Sequence, residues 1–120
     1  MHAYRYNIGH VAIGIGDLGL AYQTFKMAVS LDNNHAESFN NLGVLELRNG
    51  GIFAAKSNFS VSQSLAPYMF ESFFNAALVT FKLGDYQESY HLIKKALAAY
   101  PGHFYSKEVE RHLDHLLSAV

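Results

Sequence analysis

Apolar and polar positions along the chain follow two periods at once. Within a segment the apolar residues fall three or four apart, which sets them on one face of a helix. Between segments the pattern returns every 34 residues. Phe39, Leu42, Leu45 and Leu47 recur at near-helical spacing before Asn49-Gly50-Gly51. Phe53, Ala55, Phe59, Ser62 and Leu65 then carry a second helical pattern that Pro67 stops. Gly16, Gly50 and Gly84 share the longer period, as do Asn7, Asn41 and Asn75. So do Ala21, Ala55 and Ser89, the trio Ala28, Ser62 and Ala96, and the larger Phe25, Phe59 and Ile93. Asn33, Pro67 and Pro101 close each unit. This self-similarity predicts three helix–turn–helix repeats at residues 2–35, 36–69 and 70–103, followed by a tail at 104–120.

The recurring residue types have physical reasons. A glycine just past a helix C-terminus supplies the positive φ that the turn needs. Asp17 and Asp85 follow that glycine, where a short acceptor caps the next helix. Gly9, Gly43 and Ala77 fall where the two helices of a repeat cross, and a larger side chain there separates the backbones. Ala21, Ala55 and Ser89 do the same from the other helix, and Phe25 and Phe59 fill the space left over. In the tail, Val109, Leu113, Leu116, Leu117 and Val120 form one apolar stripe, with Lys107, Glu108, Glu110, Arg111 and Asp114 elsewhere. Such a helix caps a stack of repeats with a polar outer face. At the other end Tyr4, Tyr6, Ile8 and Val11 begin the pattern without a preceding cap. The expectation is a C-terminal piece of a longer solenoid, whose N-terminal end packs on further repeats or self-associates.

A 34-residue helix–turn–helix period with this alternation of small and large residues resembles the tetratricopeptide repeat (TPR). The resemblance covers residues 2–103 and implies an all-α fold, a TPR superhelix of three repeats plus a C-terminal capping helix in a single domain over 1–120. Two positions depart from the family pattern: Arg5 where an aromatic is expected, matched by Phe39 and Phe73, and Asn33 in place of the closing proline.

Composition narrows the function. The chain has 120 residues, 50% hydrophobic and 16% charged, with 9 Lys plus Arg against 10 Asp plus Glu. So balanced a charge argues against nucleic acid and against a polybasic membrane patch. No run approaches the roughly 18 apolar residues of a membrane span, so no direct membrane insertion is expected. The absence of cysteine removes disulfide scaffolds, zinc ribbons and cysteine nucleophiles. The chain reads as a soluble intracellular domain.

Candidate chemistry dissolves on inspection. Gly14-Ile15-Gly16-Asp17-Leu18-Gly19 fits a dinucleotide fingerprint, but that motif works only between a strand and a helix. His112 and His115 lie one turn apart with Asp114 between them, an incomplete ligand set for a structural metal. Asn58-Phe59-Ser60 matches a glycosylation sequon, with its central phenylalanine at a core position. No nucleophile stands beside a base. The expectation is no enzyme, no cofactor and no metal.

What remains is a binding surface. In TPR arrays the first helix of each repeat lines the concave side. Carried over by register, the lining is Ala3, Tyr6, His10, Ile13 and Gly14, then Glu37, Asn40, Val44, Leu47 and Arg48, then Glu71, Phe74, Leu78, Phe81 and Lys82. Asn7, Asn41 and Asn75 stand beside them, either as structural hydrogen-bonding groups or as holders of a ligand backbone. A groove this apolar calls for a protein partner. The basic clamp by which TPR co-chaperones hold a C-terminal carboxylate is not reproduced: Tyr6, His10, Glu71 and Asn75 occupy its places, and only Asn41 fits.

Several stretches are more particular than the repeat requires. They include Tyr6-Asn7-Ile8-Gly9-His10-Val11-Ala12, Asn34-His35-Ala36-Glu37, Asn40-Asn41-Leu42, Val44-Leu45-Glu46, Ser64-Leu65-Ala66-Pro67 and Phe74-Asn75. Together they resemble the C-terminal repeats of the Bardet–Biedl syndrome protein eight family, a TPR subunit of the BBSome. That resemblance implies a non-enzymatic scaffold in ciliary membrane-protein transport, found in the cytoplasm, the cilium and the ciliary base. Its partners would be other protein subunits of a BBSome-type complex. The alternative is a generic cytosolic TPR adaptor that takes a short peptide in its groove.

Overall fold

The computed structural model describes residues 18–31 and 34–118. They form six helices: α1 (Leu18–Leu31), α2 (Ala36–Arg48), α3 (Ile52–Leu65), α4 (Phe70–Lys82), α5 (Tyr86–Ala99) and α6 (Phe104–Ser118). There is no strand among the described residues. The first helix expected in the first repeat, with Gly9, Gly16 and the cap at Asp17, lies outside them, as do Asn33 and Val120. The chain divides into two compact units, one ending at Leu65 and one beginning at Ala66.

In the first unit α1 packs on α2 and α2 on α3. The repeating small and large positions make its core. Ala21, Phe25, Ala28, Ala55, Phe59 and Ser62 are all fully buried. Gly43 shows why the crossing needs a small residue: a Cβ there would stand 2.5 Å from Cε1 of the Phe59 ring. Polar groups at the crossing are satisfied by short hydroxyls. Ser62 Oγ donates to the carbonyl of Ala36 at 2.8 Å. Thr24 Oγ1 donates within α1 to the carbonyls of Leu20 and Ala21.

The second unit repeats the scheme with α4 on α5 and α5 on α6. Ala77, Ser89, Ile93 and Ala96 are fully buried, and Ser89 Oγ donates to the Ala77 carbonyl at 2.7 Å. Leu113 of α6 is also fully buried, while Val109, Leu116 and Leu117 are half-buried. Burying a Phe, Ile or Leu side chain of this kind is worth about 1.5–3 kcal/mol. The polar side of α6 is less uniform than the pattern suggested. Glu110 is half-buried and pairs with Lys94 of α5 at 2.6 Å.

The turns between α2 and α3 and between α4 and α5 close the same way. Gly50 and Gly84 have φ of 82°. The Gly50 N–H donates to the Leu47 carbonyl and the Gly51 N–H to that of Glu46. Gly84 and Asp85 repeat the pair on Phe81 and Thr80. This double closure consumes carbonyls that would otherwise be orphaned at a helix end, and it requires the left-handed residue. Asp85 then caps α5, accepting from the Glu88 N–H at 3.3 Å.

The starts of α2 and α6 use a device absent from the pattern reading. His35 Nδ1 accepts from the Ser38 N–H at 3.1 Å and lies 2.6 Å from Ser38 Oγ. His103 Nδ1 does the same with Ser106, at 3.2 Å and 2.6 Å. Ser38, Ser72 and Ser106 keep the repeat spacing and are all fully buried. At the matching place before α4 the chain has Met69, which supplies no side-chain cap.

Candidate protein-interaction face

The strip expected on α4 is present as a surface. Leu78 is 36% exposed and flanked by the half-buried Phe74 and Phe81. Residues three, four and seven apart share a helix face, so the three side chains form one apolar line. Glu71 and Lys82 stand exposed at its two ends, neither in an ion pair among the described residues. Acid in the first turn and base in the last also complement the helix dipole.

The capping helix supplies a second wall that the repeat register did not reveal. His103 packs edge-on against Phe74, ring centroids 4.8 Å apart, and also meets Phe70 at 4.5 Å. Tyr100 and Tyr105 flank the same imidazole at 5.7 and 5.9 Å. Farther along, His112 lies 5.6 Å from Phe81, which also touches Tyr86 at 5.2 Å. Phe104 and Tyr105 are 63% and 64% exposed. Aromatic rings left this open at a helix start are the residue type that dominates protein interfaces.

In the first unit the corresponding residues are less available. Asn40 is only 8% exposed, so little of its amide faces a ligand. Val44 and Leu47 are half-buried and Arg48 is exposed. Arg48 borders a cavity of about 270 Å³ between α1 and α2, together with Tyr22, Gln23, Leu45 and Asn49. Asn41 and Asn75 are half-buried, and each is already engaged within the chain. Tyr6, Asn7 and His10 lie outside the described residues.

The remaining candidates resolve simply. Among the described residues no three His, Cys, Asp or Glu side chains gather where they could hold a metal. His112 and His115 are exposed. Gly19, the one described glycine of the fingerprint-like run, lies inside α1. Phe59, centre of the sequon, is fully buried in α3. No described helix is long and apolar enough to cross a membrane. Among the described residues the one perturbed ionisable group is Lys94: its hydrogen bond to Glu110, then that to Tyr90, raises its pKa above lysine's ordinary value.

Comparison with known proteins decides the family. The tetratricopeptide repeat family model matches residues 2–35 and 70–103. The chain belongs to the tetratricopeptide repeat family. Among curated proteins it is similar to Tetratricopeptide repeat protein 8 of Homo sapiens, 46% identical over 108 residues, which is 90% of this chain and 20% of that protein. Tetratricopeptide repeat protein 8 of Caenorhabditis elegans is 45% identical over 115 residues, 96% of this chain and 23% of that protein. This is the Bardet–Biedl syndrome protein eight to which the short stretches pointed. The chain spans about a fifth of the length of these relatives.

Solved TPR structures share the fold. The first TPR of Spaghetti (RPAP3), bound to an HSP90 peptide, superposes with a TM-score of 0.89 at 14% identity, over 98% of this chain and 93% of that one. MamA gives 0.88 at 18% identity, over 98% and 68%. Identity this low carries the all-α TPR fold and nothing finer. A TPR domain is a protein-interaction scaffold, and that much holds for this chain.

Proposed function

We propose that the chain is the C-terminal TPR part of a BBSome-type subunit, a single domain of three repeats and a capping helix within a longer array. Its role is non-enzymatic: it holds neighbouring subunits in a complex that moves membrane proteins into and out of cilia, working in the cytoplasm and at the ciliary base. The observation that carries this reading is the 46% identity to Tetratricopeptide repeat protein 8 across 90% of the chain. In the second unit the contact face is the strip Phe74, Leu78 and Phe81 with the His103 and His112 wall, joined by Asn75 and Lys82. In the first unit the residues in the same repeat register are Asn40, Asn41, Val44, Leu47 and Arg48, and by sequence register alone Tyr6, Asn7 and His10. A generic cytosolic TPR adaptor that takes a short peptide in its groove is the weaker alternative, and a C-terminal carboxylate in particular would meet Glu71 where it needs a base.

The test is a Phe74→Glu, Leu78→Glu double variant in the full-length protein. Truncating or charging an aromatic anchor in a contact face costs about 2 kcal/mol or more. The variant is expected to stay helical and lose its partner subunits on co-purification. A folded variant that co-purifies normally would move the interface off this face.

A further inference from the structure

A second surface lies on the other side of the first unit, independent of the inner face. A cavity of about 440 Å³ opens between α1 and α3 and is floored by α2. Phe39 and Leu42 of α2 make its apolar floor with Val29 of α1 beside them, Lys26 lines the α1 side, and Ser57 and Asn58 line the α3 side. Its volume is within the range of ordinary ligand sites, though it is open to solvent along its length.

The chain contains its own precedent for what Lys26 binds. In the first unit the Lys26 ammonium lies 5.5 Å from the Tyr22 ring centroid. Two repeats later the same pair recurs as Tyr90 and Lys94, at 5.2 Å. Lys94 has a further partner, the Glu110 carboxylate at 2.6 Å, supplied by the following helix. Two repeats before Glu110 the chain has Leu42, which cannot play that part. Lys26 therefore has the aromatic half of the arrangement and no ion pair among the described residues. Glu46 also lines the cavity, but its carboxylate leans onto the turn that starts α3: a Cβ at Gly51 would stand 2.7 Å from Glu46 Oε2. The free N–H groups of a helix start suit a negative charge there.

We propose that this cavity docks an amphipathic helix of a partner protein, which brings a carboxylate to Lys26 and a leucine-sized side chain, one turn away, to the Val29–Phe39–Leu42 floor. The helix is the occupant because the cavity runs between two helices, and the carboxylate because Leu42 of α2 leaves Lys26 without the partner that Glu110 gives Lys94. Ser57 and Asn58 offer hydrogen bonds at the opposite rim.

The probe is an alanine-rich helical peptide of about 18 residues, long enough to hold helicity in water, with one glutamate and a leucine four residues after it. Its counterpart carries glutamine instead. Each is titrated into the full chain while backbone amide shifts are followed by NMR. The glutamate peptide is expected to move the amides of Lys26, Phe39, Ser57 and Asn58. Lys26→Met, at an exposed position, is expected to weaken binding about threefold to fivefold, the upper part of the range of a solvent-accessible ion pair. The glutamine peptide should match that loss on the parent chain. Equal binding of the two peptides would overturn the proposal, as would shifts confined to α4 and α6 or no shifts at all. Concentration-dependent shifts at the same amides without peptide would assign the cavity to a second copy and overturn it likewise.

Discussion

At the helix crossing of the first unit a glycine faces an aromatic ring; the second unit has alanine and isoleucine in the same register. Gly43 and Phe59 become Ala77 and Ile93, and both solutions leave the large residue fully buried. One partner loses a methyl while the other gains a ring, so the pair is selected for its joint volume. Core packing tolerates exchanges that keep volume and penalises those that do not. The comparison shows that a repeat fixes a sum of sizes at the crossing and leaves the split to each copy.

The harshest way to break that symmetry is to empty the larger site. Phe59→Ala leaves a cavity bounded by a glycine that cannot reach in, and is expected to cost about 3–5 kcal/mol. Urea unfolding with an unchanged m-value would measure it. A smaller, more pointed change is Gly43→Ala. The new Cβ must displace a buried ring, an overpacking cost of about 1–3 kcal/mol, against a helix-propensity gain of about 1 kcal/mol. Net destabilisation is expected, and adding Phe59→Ile, which installs the second unit's pair, should recover most of it. If Gly43→Ala alone melted above the parent, joint volume would not be what the crossing selects.

The repeats were legible because three copies of one unit annotate each other. Residues that must be small, or must turn left-handed, recur where chance would not put them. Gly50 and Gly84 with positive φ, the buried Ala55 and Ser89, and the cap at Asp85 all follow from that reading. Three features escaped it, each for want of a third copy. The histidine caps occur before α2 and α6 but give way to Met69 between them. The Tyr22–Lys26 pair recurs as Tyr90–Lys94, yet the middle repeat has Lys56 and Ser60 there. The His103 and His112 wall stands at the start and on one face of the capping helix, where the sequence pattern shows an apolar stripe and a polar outer side but no copy to compare. Of the expected face, the strip on α4 was legible from helical spacing; the burial of Asn40 was not, because the same spacing describes a lining residue and a packed one.

Each unit has one histidine cap. His103 both caps α6 and stacks among Phe70, Phe74 and Tyr100. Losing a cap costs about 1 kcal/mol, and losing aromatic contacts adds about 0.5–1.5 kcal/mol. His103→Ala is therefore expected to cost about 1.5–2.5 kcal/mol from the two losses together. His103→Asn keeps the cap and gives up the stacking, so its melting temperature should lie between parent and alanine variant. An asparagine variant as unstable as the alanine one would make the ring contacts, and not the cap, the reason for a histidine here.

The smallest effect concerns the tyrosine–lysine pairs and bears on how far the second unit can serve as precedent for the first. Lys94 has a raised pKa because its charged form is held by Glu110 and then by Tyr90. A group whose folded pKa lies above its unfolded one contributes stability that is fully present below the ordinary value of 10.5, and is lost as pH rises through the higher folded value. Glu110→Gln removes the larger cause. At neutral pH the parent should melt slightly above this variant, by the small margin typical of exposed ion pairs. Well above pH 10.5 the two curves should converge, because deprotonated Lys94 no longer distinguishes carboxylate from amide. A margin that persisted at alkaline pH would mean that Glu110 contributes by packing alone. Lys94 would then be no guide to the carboxylate expected at Lys26, and the two units would share a tyrosine–lysine geometry without sharing its chemistry.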